Sequence, residues 1–433
     1  MTRMNSAIVF LLILLPLAGC REEPPPVTSQ AKTPAPPPAA EPPPPVLLPP
    51  ASLVLDYGFT LGHIDAGDLD GDGRLDLTLA SHVEGRIETF YQQPERRFSA
   101  SGALADPGFH PNGTLTMTGG DGGRYLILNA ETLNLARAYR AVPGAPAQRV
   151  GDTPVQAPFA SIGVGWPDWG QVLAIISKAG GKLQLMPGFD PALALAAEPV
   201  FVTVTPKAHL RLRGLTAADI AGQGVPALLV AVPKEGLIAA ISPEGPRQVR
   251  VDKLADLGRL AGPEVILPGD YNRDGHLDLV VLGQLLAEAV LLRNNGQGAF
   301  TEQRIPLGDP ARYPGVRGGA VTRDADGTLL VWASLDQALG VLRWGPDASA
   351  APEPTILTRS GNDPIRFATG DLDADGHQDL VMGSSVGSLP ITVIFGPLAP
   401  KVAAIGTMLE GLAARQASLE QGSMQQWNLL DQK

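Results

Sequence analysis

The sequence holds one cysteine, Cys20, so no intrachain disulfide can form and covalent stapling is excluded as a source of stability. Positive charge is also in deficit. Lys and Arg number 33 against 44 Asp and Glu, and the resulting net charge of −11 is the wrong sign for a nucleic-acid surface. Catalytic signatures are missing as well: there is no H-E-x-x-H, no G-x-S-x-G, no P-loop and no Cys placed as a nucleophile. The apolar stretch at 7–15 is too short to span a bilayer. What the chain does have is 433 residues, 44% of them apolar, with 50 Gly and 42 Pro. That composition buries a large core but reads as loop-rich and β-like rather than helical.

The N-terminus reads as a secretory leader over 1–19, with Arg3 as its positive end, 7–15 as its apolar stretch and small residues at 17–19. From 22 to 50 the chain is dominated by Pro and Ala, with proline runs at 24–26, 36–38 and 42–45. Such a segment builds no core and extends as polyproline at about 3.1 Å per residue. It is expected to be a tether; a Pro-rich ligand for another domain is the alternative.

The stretch that organises the rest is 66–81, A-G-D-L-D-G-D-G-R-L-D-L-T-L-A-S. Asp68, Asp70, Asp72 and Asp76 fall at positions one, three, five and nine, with Gly73 at six to permit a sharp turn. The pattern returns at Asp270, Asn272, Asp274, Gly275 and Asp278, and again at Asp371, Asp373, Asp375, Gly376 and Asp379. Hard oxygen donors on a short Gly-containing loop suit calcium. The expected ligands are the side chains at one, three, five and nine plus the backbone carbonyl at seven, from Arg74, His276 and His377. Metal-free Asx-turns are the alternative. Crowded carboxylates without a cation would, however, repel and raise one another's pKa. An EF-hand is excluded because position twelve is Leu79, Val281 or Met382 instead of Glu, and because a short apolar run follows each ninth-position Asp. The loop therefore feeds a strand. A sphere filled by protein oxygens leaves no open position, so the ions are expected to fasten structure and not to catalyse.

Taking the loop glycine as a ruler, marks fall at Gly73, Gly122, Gly170, Gly224, Gly275, Gly327 and Gly376, spaced 49, 48, 54, 51, 52 and 49 residues apart. Seven units follow, of which the second to fourth have lost most ligands; the sixth has Thr322 and Leu330 where the first and ninth carboxylates would stand. Each unit reads as four strands, in the fifth at about 264–268, 278–283, 289–293 and 300–306. Four-stranded units that cannot cover their own faces close radially, which predicts an all-β, seven-bladed propeller; a linear solenoid is the alternative. The seventh unit offers no fourth strand, while an unclaimed apolar segment precedes the first unit at 52–55. That segment is predicted to latch the ring. Four of the five Trp, at 166, 169, 332 and 344, are expected to pack between blades, a sugar-stacking platform being the alternative. Over 401–421 the period changes to a helical one, so the domains are read as 1–19 leader, 20–51 tether, 52–400 propeller and 401–433 helical tail.

These loops resemble the FG-GAP, or VCBS, repeats of integrin alpha chains and many bacterial surface proteins, most closely in the fifth unit, where G-D-Y-N-R-D-G-H-L-D-L-V-V-L precedes L-L-R-N-N-G-Q-G-A-F. Leu17-Ala18-Gly19-Cys20 is similar to a bacterial lipobox, which implies lipidation of Cys20 and anchoring to a membrane. Arg21 after the Cys implies the outer membrane of a bacterial envelope, on either its periplasmic or its surface face. The resemblance implies a calcium-binding, non-catalytic adhesion or interaction module with a protein or glycan partner. Its alternatives are a carbohydrate-active enzyme such as a polysaccharide lyase, and a subunit of an outer-membrane assembly.

Overall fold

The computed structural model describes residues 52–398, apart from 109, 179, 208–209, 309–314, 325–326, 335–337, 345–351, 353, 360–363 and 385–389. The leader, Cys20, the tether and the tail expected to be helical lie outside the described residues.

The strands form seven four-stranded antiparallel sheets. Blade 1 is the meander His63–Gly67, Asp76–Ser81, Arg86–Gln93 and Arg97–Ala103. Blades 2, 3, 4 and 6 occupy 111–154, 158–203, 213–256 and 316–359. Blade 5 consists of Pro263–Gly269, Asp278–Gly283, Glu288–Asn294 and Phe300–Pro306, within a residue of the expected limits at each end. Blade 7 takes three strands from the end of the chain, Pro364–Gly370, Asp379–Ser384 and Ile391–Ile394, and its outer strand from the beginning. Ser52–Leu55 pairs antiparallel with Ile391–Ile394, Ser52 opposite Ile394 and Leu55 opposite Ile391. The latch read from the missing strand is present, and it closes a ring that a solenoid would leave open.

The first strand of each blade touches the first strands of both neighbours, including blade 7 against blade 1. The apolar core is divided accordingly into seven clusters, one in each gap between adjacent blades. A strand in the middle of a blade is covered on both faces by neighbours. This is why the second strands read as unbroken apolar runs: Asp76–Ser81, Ala227–Val232, Asp278–Gly283 and Asp379–Ser384 are buried throughout. Trp166, Trp169, Trp332 and Trp344 are all buried in these gaps, so the packing reading of the tryptophans holds. Two of them close polar accounts as well, Trp166 donating to the Pro226 carbonyl and Trp169 to that of Gly245, both in blade 4.

Because every blade is a meander, its first-to-second loops and third-to-fourth turns lie at one end, and its other connections at the opposite end. Five of the seven ruler glycines fall in first-to-second connections, and the other two, Gly170 and Gly327, open the second strand of their blade. The degenerate ones close by hydrogen bonding: Asp121 accepts from Gly123 and Tyr125, and Asp219 from Gln223 and Gly224. In blade 6 the loop has shrunk to a hairpin with Asp324 opposite Gly327.

Candidate metal centre

The three Asp-rich loops share one backbone path. Position six is left-handed in each, with φ of 87° at Gly73, 87° at Gly275 and 89° at Gly376. A methyl group added at any of the three would meet nothing within 4 Å, so the glycine is required by torsion and not by space. Gly376→Ala is therefore expected to destabilise by about 1–2 kcal/mol, the cost of an L-residue in that region, as measured by urea unfolding. At position seven, the N–H groups of Arg74, His276 and His377 donate to the preceding carboxylates of Asp72, Asp274 and Asp375 at 2.8, 2.8 and 2.9 Å. Position one caps the turn: Asp68 accepts from the Gly71 N–H, Asp270 from Asp274 and Gly275, and Asp371 from Asp375 and Gly376.

Position nine has a second duty that the spacing did not reveal. Asp76, Asp278 and Asp379 open the second strands of their blades and are at most 1% exposed. One oxygen of each accepts the N–H of position two, from Leu69 at 2.8 Å, Tyr271 at 3.1 Å and Leu372 at 2.7 Å. The other accepts an N–H at the end of the third strand, from Gln92 at 2.9 Å, Asn294 at 2.8 Å and Gly396 at 2.7 Å. Each carboxylate thus ties the loop to the end of the third strand, which lies beside the strand it opens. The signal that marks this staple is the apolar residue at position two, Leu69, Tyr271 or Leu372, which is buried in every loop although its neighbours are polar.

The structure brings together oxygens of Asp68, Asp70 and Asp76 in blade 1, and of Asp371, Asp373 and Asp375 in blade 7, all within 4.8 Å of one another. Oxygens bound to one calcium at about 2.3–2.6 Å stand up to about 5 Å apart, so both groups fit that ion. Asp72 is turned aside to pair with Arg74 at 2.5 Å. In blade 5, Asn272 hydrogen-bonds Asp274 at 2.8 Å through its amide nitrogen, so the expected oxygen donors there are arranged around each other. Burial, reinforced by the neighbouring carboxylates, pushes Asp76 and Asp379 up to about 7 against the pull of their two backbone donors, and raises Asp278 too.

Arginines from adjacent blades reach these acids. Arg124 of blade 2 lies 3.4 Å from Asp68. At the closure seam, Arg96 from the last turn of blade 1 crosses to blade 7, pairing with Asp373 at 2.6 Å and Asp375 at 3.2 Å and covering the Phe395 ring. The other oxygen of Asp373 is buried and without a hydrogen-bond partner. The Leu75 N–H donates to the Leu372 carbonyl at 3.1 Å, joining the two loops directly. The residue before position one is glycine in all three loops because the adjacent blade fills its place: a methyl at Gly67, Gly269 or Gly370 would collide with Thr116, Arg323 or Leu75.

No family model matches the chain, and no curated protein does. Among solved structures, it is similar to BBS1N crystallised in complex with ARL6DN and soaked with lead, at 10% identity and a TM-score of 0.53, covering 80% of this chain and 98% of that one. It is also similar to Sqt1 of Saccharomyces cerevisiae, at 10% identity and a TM-score of 0.50 over 80% and 99% of the two chains. A protein from Lactobacillus plantarum is similar at 12% identity and a TM-score of 0.50, covering 77% and 89%. Likeness at this identity establishes the propeller fold alone.

Proposed function

We propose that this protein is a calcium-stabilised propeller, held to the outer membrane of a bacterial envelope by a lipid on Cys20 and a stiff tether, which presents a loop face to a protein or glycan partner. The observation that carries the calcium part is the convergence of three carboxylates in blade 1 and again in blade 7, on loops of matching path. Asp68, Asp70, Asp72, Asp76 and the Arg74 carbonyl would hold one ion. Asp270, Asn272, Asp274, Asp278 and the His276 carbonyl would hold a second, and Asp371, Asp373, Asp375, Asp379 and the His377 carbonyl a third. Such ions would supply charge neutralisation at the loop end, offsetting about six of the negative charges. The interaction role is supported by the fold, one of whose likenesses, BBS1N, was crystallised with a protein partner.

Calorimetric titration of the calcium-stripped protein tests this. Saturable uptake of three ions and a higher melting temperature are expected, whereas a melting temperature indifferent to EGTA would refute it. The blade 7 ion is expected to bind most weakly, because Arg96 must give up Asp373 and Asp375 first. Arg96→Ala should tighten that site several-fold while lowering the melting temperature in EGTA. Uptake at pH 7 is also expected to release protons, since Asp76 and Asp379 stand at about 7 without a cation, and affinity should fall as the pH drops below that value. Without calcium the sign reverses. A carboxyl raised in the fold makes the stripped protein lose stability as pH climbs from about 4 toward 7. Binding heats in two buffers of different ionisation enthalpy measure the release. Identical heats would remove position nine from the ion's sphere.

A further inference from the structure

At the end of the disc opposite the Asp loops, two histidines from different connections meet. His82 lies just past the second strand of blade 1, and His110 immediately before the first strand of blade 2. Their rings stand 4.4 Å apart, tilted by 60°, with His110 Nδ1 2.9 Å from His82 Nε2. His82 Nδ1 is 3.3 Å from the Pro111 carbonyl. A carbonyl only accepts, so Nδ1 of His82 carries the proton and Nε2 is left with its lone pair facing His110. A backbone oxygen that fixes the tautomer in this way is the usual outer support of a metal-binding imidazole. His110 is held with φ at 56°, a conformation that an L-residue adopts only when its surroundings impose it. Both rings are half-buried, so an ion can reach them.

We infer that His82 Nε2 and His110 Nδ1 are the two protein ligands of a copper(II) site. With metal–nitrogen bonds of about 2.0–2.1 Å, nitrogens 2.9 Å apart subtend about 90° at the ion. That is the angle between neighbouring ligands in the tetragonal geometry of copper(II). A tetrahedral zinc would require the nitrogens to part to about 3.3 Å. Imidazole suits copper, which also binds more tightly than zinc to a given set of nitrogen ligands. On binding, His110 Nδ1 exchanges its proton for the ion, and that proton passes to the other ring nitrogen or to solvent. Glu131 lies near His82, where its negative charge offsets that of Lys178, with which it is paired. Its own burial would raise it, but hydrogen bonds from Lys178 and Asn112 outweigh that and hold it ionised. The remaining positions on the ion would be filled by water or by a donor from a partner.

The experiment is a copper(II) titration of the full chain in excess calcium, which keeps the acidic loops engaged, followed by electron paramagnetic resonance. One saturable equivalent whose spectrum shows coupling to two nitrogens is expected. His82→Ala should weaken binding at least tenfold and abolish that coupling. His110→Gly should do the same, and since glycine adopts a positive φ freely, this variant loses the imidazole while relieving the backbone. Absence of nitrogen coupling, or an unchanged spectrum in His110→Gly, would overturn the assignment.

Discussion

Replacing Asp278 with Ala is expected to lower the melting temperature in EGTA by about 8 °C, and by more in calcium, where the blade 5 ion is lost as well. The side chain is 0% exposed, and its two oxygens accept the N–H groups of Tyr271 and Asn294. Alanine leaves both donors buried without acceptors, at about 1–3 kcal/mol each, or about 4 kcal/mol together. At about 2 °C per kcal/mol in a domain of this size, that gives the stated shift. Asn is expected to be nearly as damaging, because its amide would turn a donor toward one of the two N–H groups. Blade 5 is the place for the test, since its three carboxylates are not gathered as in blades 1 and 7, and EGTA separates the staple from ion binding. Scanning calorimetry with and without EGTA reads both states. A loss of stability confined to the calcium-loaded protein would mean that Asp278 acts only as a ligand.

Removing Ser52–Leu55 is expected to cost more. Leu53 and Leu55 pack on the cluster between blades 7 and 1, and the strand covers the hydrogen-bonding edge of Ile391–Ile394, whose residues are all buried. Two half-buried leucines at about 1–1.5 kcal/mol each, with ladder hydrogen bonds at about 1 kcal/mol apiece, come to about 5 kcal/mol. The melting temperature should fall by about 10 °C. The bared edge is also a template for pairing with another chain, so the shortened protein should self-associate, and sedimentation velocity reads that directly. A peptide spanning 50–57, added in trans, should restore the monomer. If the shortened protein stayed monomeric with an unchanged melting temperature, the outer strand would have no part in closing the ring.

Much of the architecture was legible because it is written locally and repeatedly. A loop glycine recurs about every fifty residues, an apolar run follows it, and one missing strand at the end matches one spare segment at the beginning. The candidate ligands were visible as a spacing, but which of them converge was not: positions one, three and nine meet in blade 1 and one, three and five in blade 7, while Asp72 turns to Arg74. The position-nine staple was half visible, as a buried residue at position two, but its second partner lies 16 residues downstream at the end of another strand.

What the amino-acid sequence determined by itself was the number of blades, their strand order and the acidic turns, because periodicity and turn chemistry act over a few residues. Only the closed ring decided which side chains meet across the gaps. It set Arg96 against acids 277 residues away and His110 against His82, and it made each Gly before the first Asp a socket for the next blade. The physical reason is that such contacts depend on the angle at which whole sheets pack around the axis. No short stretch of chain carries that angle; it arises when all seven apolar gaps fill at once.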